Sequence, residues 1–207
     1  MNFSPKNQQR VMRWCKRMLV TFCALSSVLV IYILHTIYHA NFRAVVEGQA
    51  YRSGQMGADQ LARTIERYGI KSILNLRGEN PTTSWYQAEI EMSKKLNVVH
   101  YDRSLSSGED MTLEQMDDLV VLLRQAPKPA LIHCLGGADR SGLVSALYRL
   151  AINDQEPKEA DDELSIWYGH VPLIRPEVKA MDRSFWSYVS NHVSHTDLDR
   201  QPSLNLP

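Results

Sequence analysis

The chain contains little cysteine: only Cys15, Cys23 and Cys134 occur in 207 residues. Two of these lie near the amino terminus, so the rest of the chain holds a single thiol and cannot form an internal disulfide. A lone thiol is compatible with an oxidising or a reducing compartment, and the cysteine count therefore does not fix the location of the protein. It does exclude a structural disulfide as the reason for Cys134.

Acidic residues are absent from the first 43 residues, which contain six basic side chains. The remaining 164 residues hold 17 basic and 23 acidic side chains, a net charge of −6 that the overall balance of zero conceals. An acidic body lacks the positive surface with which proteins bind nucleic-acid phosphates. Nucleic acid is therefore excluded as an expected partner.

Charged residues are also absent between Met18 and Tyr38. A helix of this length spans roughly 30 Å, the thickness of the hydrocarbon core of a bilayer. The length of the run and the lack of an Ala-x-Ala site argue against a cleaved signal peptide, and its terminal position with a basic flank argues against a buried core helix. Because the basic residues precede the run, we expect residues 1–17 in the cytoplasm, a single-pass anchor at 18–38 and a body that is extracytoplasmic (periplasmic).

The body alternates strand-like and helix-like segments and shows no internal repeat. Strands are predicted at Ala44–Glu47, Gln49–Ser53, Ile70–Leu76, Val98–Tyr101 and Ala130–His133. Helices are predicted at Ala58–Tyr68, Ser84–Leu96 with a serine cap, Thr112–Gln125 with a capping box, Ser141–Asn153, Pro157–Tyr168 and Pro176–His192. This alternation predicts an α/β domain with a central, mostly parallel sheet flanked by helices. We assign the domain to residues 44–193 and expect a loose tail at 194–207.

The loop of greatest chemical interest lies between a predicted strand and a predicted helix. Its sequence is His133-Cys134-Leu135-Gly136-Gly137-Ala138-Asp139-Arg140-Ser141-Gly142. The backbone N–H groups of a tight loop and the positive end of the following helix together form a site for a phosphate dianion. Two glycines permit close backbone approach, and Arg140 offers a planar fork for two phosphate oxygens. Cys134, at the base of this positive field, is expected to be a thiolate nucleophile with a lowered pKa.

Two simpler explanations of the loop are a cysteine used as a small buried hydrophobe and a nucleotide-binding glycine loop. Neither predicts an arginine six residues after the cysteine. The pattern therefore favours phosphate chemistry at Cys134 over both.

The pattern His-Cys-x-x-Gly-x-x-Arg-Ser-Gly resembles the signature of the protein tyrosine phosphatase superfamily. The segments Tyr51-Arg52-Ser53-Gly54-Gln55 and Ile73-Leu74-Asn75-Leu76-Arg77 are similar to parts of its atypical dual-specificity branch. With its anchor, the chain looks like a membrane-bound bacterial-type member. The resemblance implies a phosphocysteine intermediate, no metal, no cofactor and an upstream aspartate as general acid. It also implies that Ser141 stabilises the departing thiolate and that His133 orients the loop.

The leaving oxygen must gain a proton as its bond to phosphorus breaks. Asp102 ends a predicted strand, so its carboxyl group is expected at the same sheet edge as Cys134, which follows it by 32 residues. We favour Asp102 as the general acid and then as the base that activates water. Asp139 is the alternative acid because it lies within the loop, with helix capping as its simpler explanation. Glu109 and Asp110 are more simply solvated residues before a helix.

The loop side chains give weak information about the substrate. Leu135, Gly136 and Ala138 stand where phosphoinositide phosphatases of the superfamily often carry lysine, and acidic Asp139 argues against a highly phosphorylated inositol. We expect a protein tyrosine or dual-specificity phosphatase acting on a phosphorylated protein. The anchor favours, as an alternative, a membrane phospholipid of phosphatidylglycerophosphate or phosphoinositide type. A phosphate-binding pseudophosphatase ranks last because the nucleophile, the arginine and an acid are all present.

Overall fold

The computed structural model describes residues 5–192 and divides the chain into two compact units, Met1–His39 and Ala40–Pro207. The first unit contains one helix, α1 (Pro5–Tyr38). Its portion Met12–Tyr38 is long and apolar enough to cross a membrane, and none of its most apolar stretch is buried in protein. The helix therefore meets the length and composition of the predicted span.

The second unit is built on a five-stranded sheet. Its strands are β1 (Arg43–Val46), β2 (Ala50–Ser53), β3 (Ser72–Asn75), β4 (Val99–Asp102) and β5 (Ala130–His133). The spatial order is β1-β2-β5-β3-β4, in which only β1 is antiparallel to its neighbour. Gly48, with a φ of 72°, turns the hairpin between β1 and β2. Every residue of the three inner strands is buried, as in parallel sheets covered on both faces.

Helices cover both faces of the sheet. They are α2 (Ala58–Tyr68), α3 (Ser84–Lys95), α4 (Leu113–Gln125), α5 (Asp139–Ala151), α6 (Pro157–Asp161) and α7 (Lys179–His192). Helices α4, α5 and α7 pack together in the largest apolar cluster, whereas α2 packs with α3 and contributes to a cluster with β2, β3 and β5. The predicted α/β class is confirmed, and Thr112 caps α4 with the expected capping box.

Several predicted boundaries are wrong. Thr83, not Ser84, is the N-cap residue of α3. The predicted helix at Pro157–Tyr168 breaks after α6 into two short 3₁₀ turns, at Asp162–Leu164 and Ile166–Tyr168. The predicted helix at Pro176–His192 also begins with a 3₁₀ turn before α7. The predicted tail at 194–207 lies outside the described residues.

The carboxyl ends of β5, β3 and β4 meet at one edge of the sheet. Asn75 at the end of β3 pairs in register with His133 on one side and Asp102 on the other. Neighbouring strands lie about 4.8 Å apart, so the two outer residues are about 10 Å apart through their backbones. This edge is where the loop that follows β5 begins.

Candidate active site

The cysteine loop, residues 134–140, runs from the end of β5 into the first turn of α5. Cys134 is buried, with 3% of its surface exposed. Its Sγ accepts the N–H of Gly137 at 3.3 Å and lies 3.4 Å from Ser141 Oγ. Burial alone would raise the pKa of this thiol, but hydrogen bonds from Ser141, the charge of Arg140 and the Gly137 N–H outweigh burial and lower it. The surroundings therefore favour the nucleophilic thiolate.

Arg52 of β2 is fully buried against the cysteine loop. Its Nη2 donates to the carbonyl oxygens of Gly137 at 2.9 Å and Ala138 at 2.8 Å. Its Nη1 donates to Glu163, reaching both the backbone oxygen and a carboxylate oxygen at 2.6 Å. Since the C=O and N–H of a trans peptide point in opposite directions, tying these carbonyls back turns the N–H groups of the same peptides the other way. Arg52 thus orients the loop from behind.

Asn41 holds the same loop from a second direction. Its side-chain amide donates to the carbonyl oxygens of Gly136 at 3.3 Å and Gly137 at 2.9 Å, and to that of Tyr168 at 2.8 Å. The residue is 6% exposed and adopts a positive φ of 51°. Asn41 therefore belongs to the support of the cysteine loop, although it lies only three residues after the end of α1.

Gly137 is the position in the loop where a side chain cannot fit. Its φ is +69°, and an added Cβ would lie 2.4 Å from the backbone nitrogen of Gly54. The next residue, Gln55, donates its N–H to the carbonyl oxygen of Leu135 at 3.0 Å. The close approach of the segment after β2 thus requires glycine at 137 and fixes another loop carbonyl.

Arg140 lies in the first turn of α5 and is partly buried. Its Nη1 donates to the carbonyl oxygens of Leu76 and Leu105, both at 3.2 Å. Among the described residues no carboxylate lies within salt-bridge distance of its guanidinium group. The two carbonyls orient the cation without neutralising it, which leaves its charge available for an anion.

His133 is fixed by a buried carboxylate. Its Nε2 lies 3.0 Å from Glu89 Oε1 on α3, and the Nε2 of His100 lies 2.9 Å from the same oxygen. Burial would raise the pKa of Glu89, but hydrogen bonds from the two histidines and from Gln55 hold it well below its usual range. The residue before Cys134 is therefore anchored to an ionised group in the core.

Asp102 ends β4 at the expected sheet edge. Its carboxylate accepts hydrogen bonds from Asn75 Nδ2 and from the hydroxyl of Tyr86, both at 2.7 Å. His100 Nδ1 lies 3.4 Å away. These contacts hold the carboxylate on the side of the sheet covered by α3, whereas Cys134 packs with residues of α4 and α5.

Asp139 is the first residue of α5, and the N-cap position belongs to Ala138. The helix-capping interpretation of Asp139 is therefore wrong. Its two oxygens bind His170 Nδ1 at 2.8 Å and Arg175 Nη1 at 3.0 Å. The opposite nitrogen of His170 binds Asp182 at 3.0 Å. Burial would lower the pKa of His170, but the two carboxylates outweigh it and raise it.

Residues 40–183 match the family model described as the Swiss Army Knife protein, DSP-PTPase phosphatase domain (PTP-SAK). The chain belongs to this family. DSP-PTPase domains are cysteine-dependent phosphomonoesterases, so the predicted enzyme class is confirmed. No curated protein sequence matches the chain.

Solved structures share the fold at low sequence identity. TpbA of P. aeruginosa, in complex with phosphotyrosine, is 16% identical over 76% of this chain and 86% of its own, with a TM-score of 0.55. The core catalytic domain of the PP-IP phosphatase SIW14 from S. cerevisiae, in complex with citrate, is 23% identical over 73% and 91%, with a TM-score of 0.55. PTPMT1 is 15% identical over 72% and 97%, with a TM-score of 0.51. These likenesses establish the fold of the PTP-SAK domain.

The structure of this PTP-SAK domain brings four of the predicted residues into one place. Arg140 and Ser141 lie around the thiol of Cys134. His133 directly precedes Cys134 and is anchored in the core. Sequence reasoning missed the residues that support them: Asn41, Arg52, Glu89 and His170. Only Arg52 had a signal, because it stands in one of the segments that resemble the dual-specificity branch. In the described part of the chain, no group of three or more His, Cys, Asp and Glu side chains is placed to hold a metal ion.

Proposed function

We propose that the domain hydrolyses phosphomonoesters through a phosphocysteine intermediate on Cys134, with phosphotyrosine or dual-specificity protein substrates. The observation that carries the proposal is a buried thiol of lowered pKa in a loop whose carbonyls are tied back by Arg52 and Asn41. Arg140, which has no ion-pair partner in the described residues, supplies a fork for the phosphate oxygens. The likeness to TpbA, solved with phosphotyrosine, supports the choice of substrate.

The proposed reaction has two steps. Cys134 Sγ attacks phosphorus, and the bond from phosphorus to the leaving oxygen breaks as Asp102 gives that oxygen a proton. Water then attacks the phosphocysteine while Asp102 takes a proton from it, and the S–P bond breaks to return the thiolate and release phosphate. Ser141 donates to the sulfur as it departs. Arg140 binds the phosphate oxygens throughout, and His133 holds the entrance to the loop.

The two candidate acids have different surroundings. Asp102 accepts hydrogen bonds from Asn75 and Tyr86, and His100 Nδ1 lies 3.4 Å away. Asp139 is held through both of its oxygens, by Arg175 and by His170, whose pKa is raised. We keep Asp102 as the proposed acid because it ends β4 at the edge where the cysteine loop begins; to reach a leaving group at Cys134 its carboxylate must turn away from Asn75 and Tyr86. We assign Asp139 to holding the start of α5.

The full chain in detergent, assayed with p-nitrophenyl phosphate and a phosphotyrosine peptide, tests the mechanism. Cys134→Ser should abolish turnover and retain phosphate binding, whereas Cys23→Ser, which removes an exposed thiol of α1, should retain activity. Turnover that survives Cys134→Ser contradicts the mechanism. With a poor leaving group, Asp102→Asn should lower kcat about a hundredfold or more and remove the basic limb of the pH profile. If Asp139→Asn does this instead, the acid is Asp139.

A second candidate function is hydrolysis of a membrane phospholipid of phosphatidylglycerophosphate or phosphoinositide type. Four large apolar side chains stand exposed beside the cysteine loop: Ile166, Trp167, Leu173 and Ile174. The same segment contains Tyr168 and His170, which bind Asn41 and Asp139. An exposed apolar surface on a segment that contacts the supports of the cysteine loop suits a substrate embedded in a bilayer. Faster turnover of the lipid in vesicles than of the peptide would favour this function, and failure to turn over any phosphomonoester would favour a pseudophosphatase.

We propose that α1 anchors the domain, with residues 1–17 cytoplasmic, 18–38 in the membrane and 44–193 forming the phosphatase domain outside the cytoplasm. The support is an apolar helix of sufficient length with its basic residues at the amino end. Reporter fusions at the carboxyl terminus that are active only in the periplasm would agree with this orientation. A fusion that is active in the cytoplasm would reverse it.

A further inference from the structure

Arg77 is a second arginine at the edge of the sheet where Cys134 lies. It follows β3, with its N–H bonded to Asn75 Oδ1 at 2.9 Å, and it pairs with Ser104 in the loop after β4. The preceding residue, Leu76, supplies the carbonyl that orients Arg140. Arg77 is thus one residue away from a direct partner of the phosphate-binding arginine.

The side chain of Arg77 is held in place by two contacts. Its guanidinium carbon lies 3.7 Å from the ring centroid of Trp85, and its Nη1 donates to Gln55 Oε1 at 3.0 Å. Gln55 also binds the loop carbonyl of Leu135 through its own N–H. Gln55 therefore contacts both Arg77 and the cysteine loop, which fixes the position of the Arg77 guanidinium group relative to the loop.

Arg77 makes no ion pair in the described part of the chain. Among residues 5–192, no carboxylate lies within salt-bridge distance of Arg77 or Arg140, whereas buried Arg52 is paired with Glu163 at 2.6 Å. Burial lowers the pKa of Arg77 and the charge of Arg140 lowers it further, whereas the charges of Glu89 and Cys134 offset part of this; the effect of Arg140 agrees with two cations close together. Two arginines close together, neither with an ion-pair partner among the described residues, favour an anion in the space that they face.

We infer that Arg77 forms a second anion subsite beside the Cys134–Arg140 loop, for a phosphate group that the leaving group carries in addition to the scissile phosphate. Stacking on Trp85 and the bond to Gln55 keep Arg77 from swinging onto the scissile phosphate, and its Nε and Nη2 remain available to a neighbouring anion. The inference rests on the proposed function and narrows it to substrates with two phosphate groups. The second phosphate is a monoester or a diester.

Binding of alkane bisphosphonates tests the subsite without turnover. The full-length Cys134→Ser chain in detergent is titrated calorimetrically with methylphosphonate and with methylene-, ethylene- and propylene-bisphosphonate. At least one bisphosphonate should bind about tenfold or more tighter than methylphosphonate, as one charge-assisted contact predicts. Arg77→Gln should remove this preference. Lys71→Gln is the matched control, because it removes one positive charge just before the other end of β3 and should keep the preference.

Two results overturn the subsite: no preference for any bisphosphonate, or an equal loss of affinity for both kinds of ligand in Arg77→Gln. Arg77→Lys, which keeps the charge but not the planar fork, should retain part of the preference and covers the case in which the glutamine variant does not fold. The titration needs no catalysis, so its results test the subsite separately from the proposed function. The proposed function fails only if the unmodified chain has no Cys134-dependent turnover.

Two substrates that share one headgroup distinguish a membrane lipid from a soluble phosphate ester as the source of the second phosphate. Phosphatidylglycerophosphate in vesicles and its deacylated headgroup in solution both carry a monoester and a diester. Release of phosphate from either one should fall about tenfold or more in Arg77→Gln relative to Lys71→Gln. Equal release by the two variants from both substrates overturns the inference.

Discussion

Replacing Asn41 with alanine removes an amide that binds the cysteine loop from behind. The amide makes two short hydrogen bonds, to Gly137 and Tyr168, and a longer one to Gly136. A neutral hydrogen bond contributes about 1 kcal/mol net, so the loss in free energy of unfolding should be about 2 kcal/mol. For a domain of this size that lowers Tm by about 4–8 °C. The bonds to the loop carbonyls account for about 1–1.5 kcal/mol of this free energy, and their loss should reduce kcat/KM about tenfold.

The assay is turnover of p-nitrophenyl phosphate by the full chain in detergent, together with thermal unfolding. Asn41→Asp should be worse than alanine, because it points carboxylate oxygens at two loop carbonyls. Asn191→Ala is the matched control, since it removes a single exposed amide bond on α7. If Asn41→Ala lowers Tm but leaves kcat/KM unchanged within about twofold, the reasoning is refuted. Asn41 would then stabilise the fold without affecting the geometry of the loop.

Two further predictions concern titrating groups. Ser141→Ala removes the strongest contact that lowers the pKa of Cys134, so the midpoint of thiol alkylation by iodoacetamide should move to higher pH. The raised pKa of His170 means that its bonds to Asp139 and Asp182 stabilise the fold fully below its ordinary value of 6.5 and are lost as pH rises through the raised value. His170→Gln should therefore flatten the fall in unfolding free energy, measured with urea, as the pH rises above about 6.5.

The controls for these predictions lie in the same elements. Ser145→Ala, one turn along α5 at a buried hydroxyl without a hydrogen-bond partner, should leave the alkylation midpoint in place. An unmoved midpoint in Ser141→Ala contradicts the assigned cause of the lowered pKa. For His170, a variant that keeps the slope of the wild type shows that other groups produce the pH dependence.

The nucleophile could be predicted from sequence because its chemistry is encoded locally. Ten consecutive residues contain the cysteine, the glycines, the arginine and the serine, and the four buried residues of β5 end at the first of the ten, His133. The strands at the sheet centre are short apolar segments of the kind that parallel sheets require. These features need no knowledge of distant contacts.

The supports of the loop could not be predicted because they come from far along the chain. Asn41 is 96 residues from Gly137, and Arg52 is 85 residues from it. Arg52 also explains the broken helix after α6. It binds both the backbone and the carboxylate of Glu163, and this buried pair outweighs the helical propensity of the segment. Such long-range pairs leave no periodic pattern in the sequence.

Under the proposal that α1 is an anchor, the position of Asn41 makes the site of a proteolytic cut matter for the released domain. A cut before Ala40 would release a fragment that keeps the amide beneath Gly136 and Gly137. A cut just after Asn41, two peptide bonds further along the chain, would leave that amide on the other piece. A protease that chooses the second bond would release a phosphatase with the same loss of activity that is expected of Asn41→Ala.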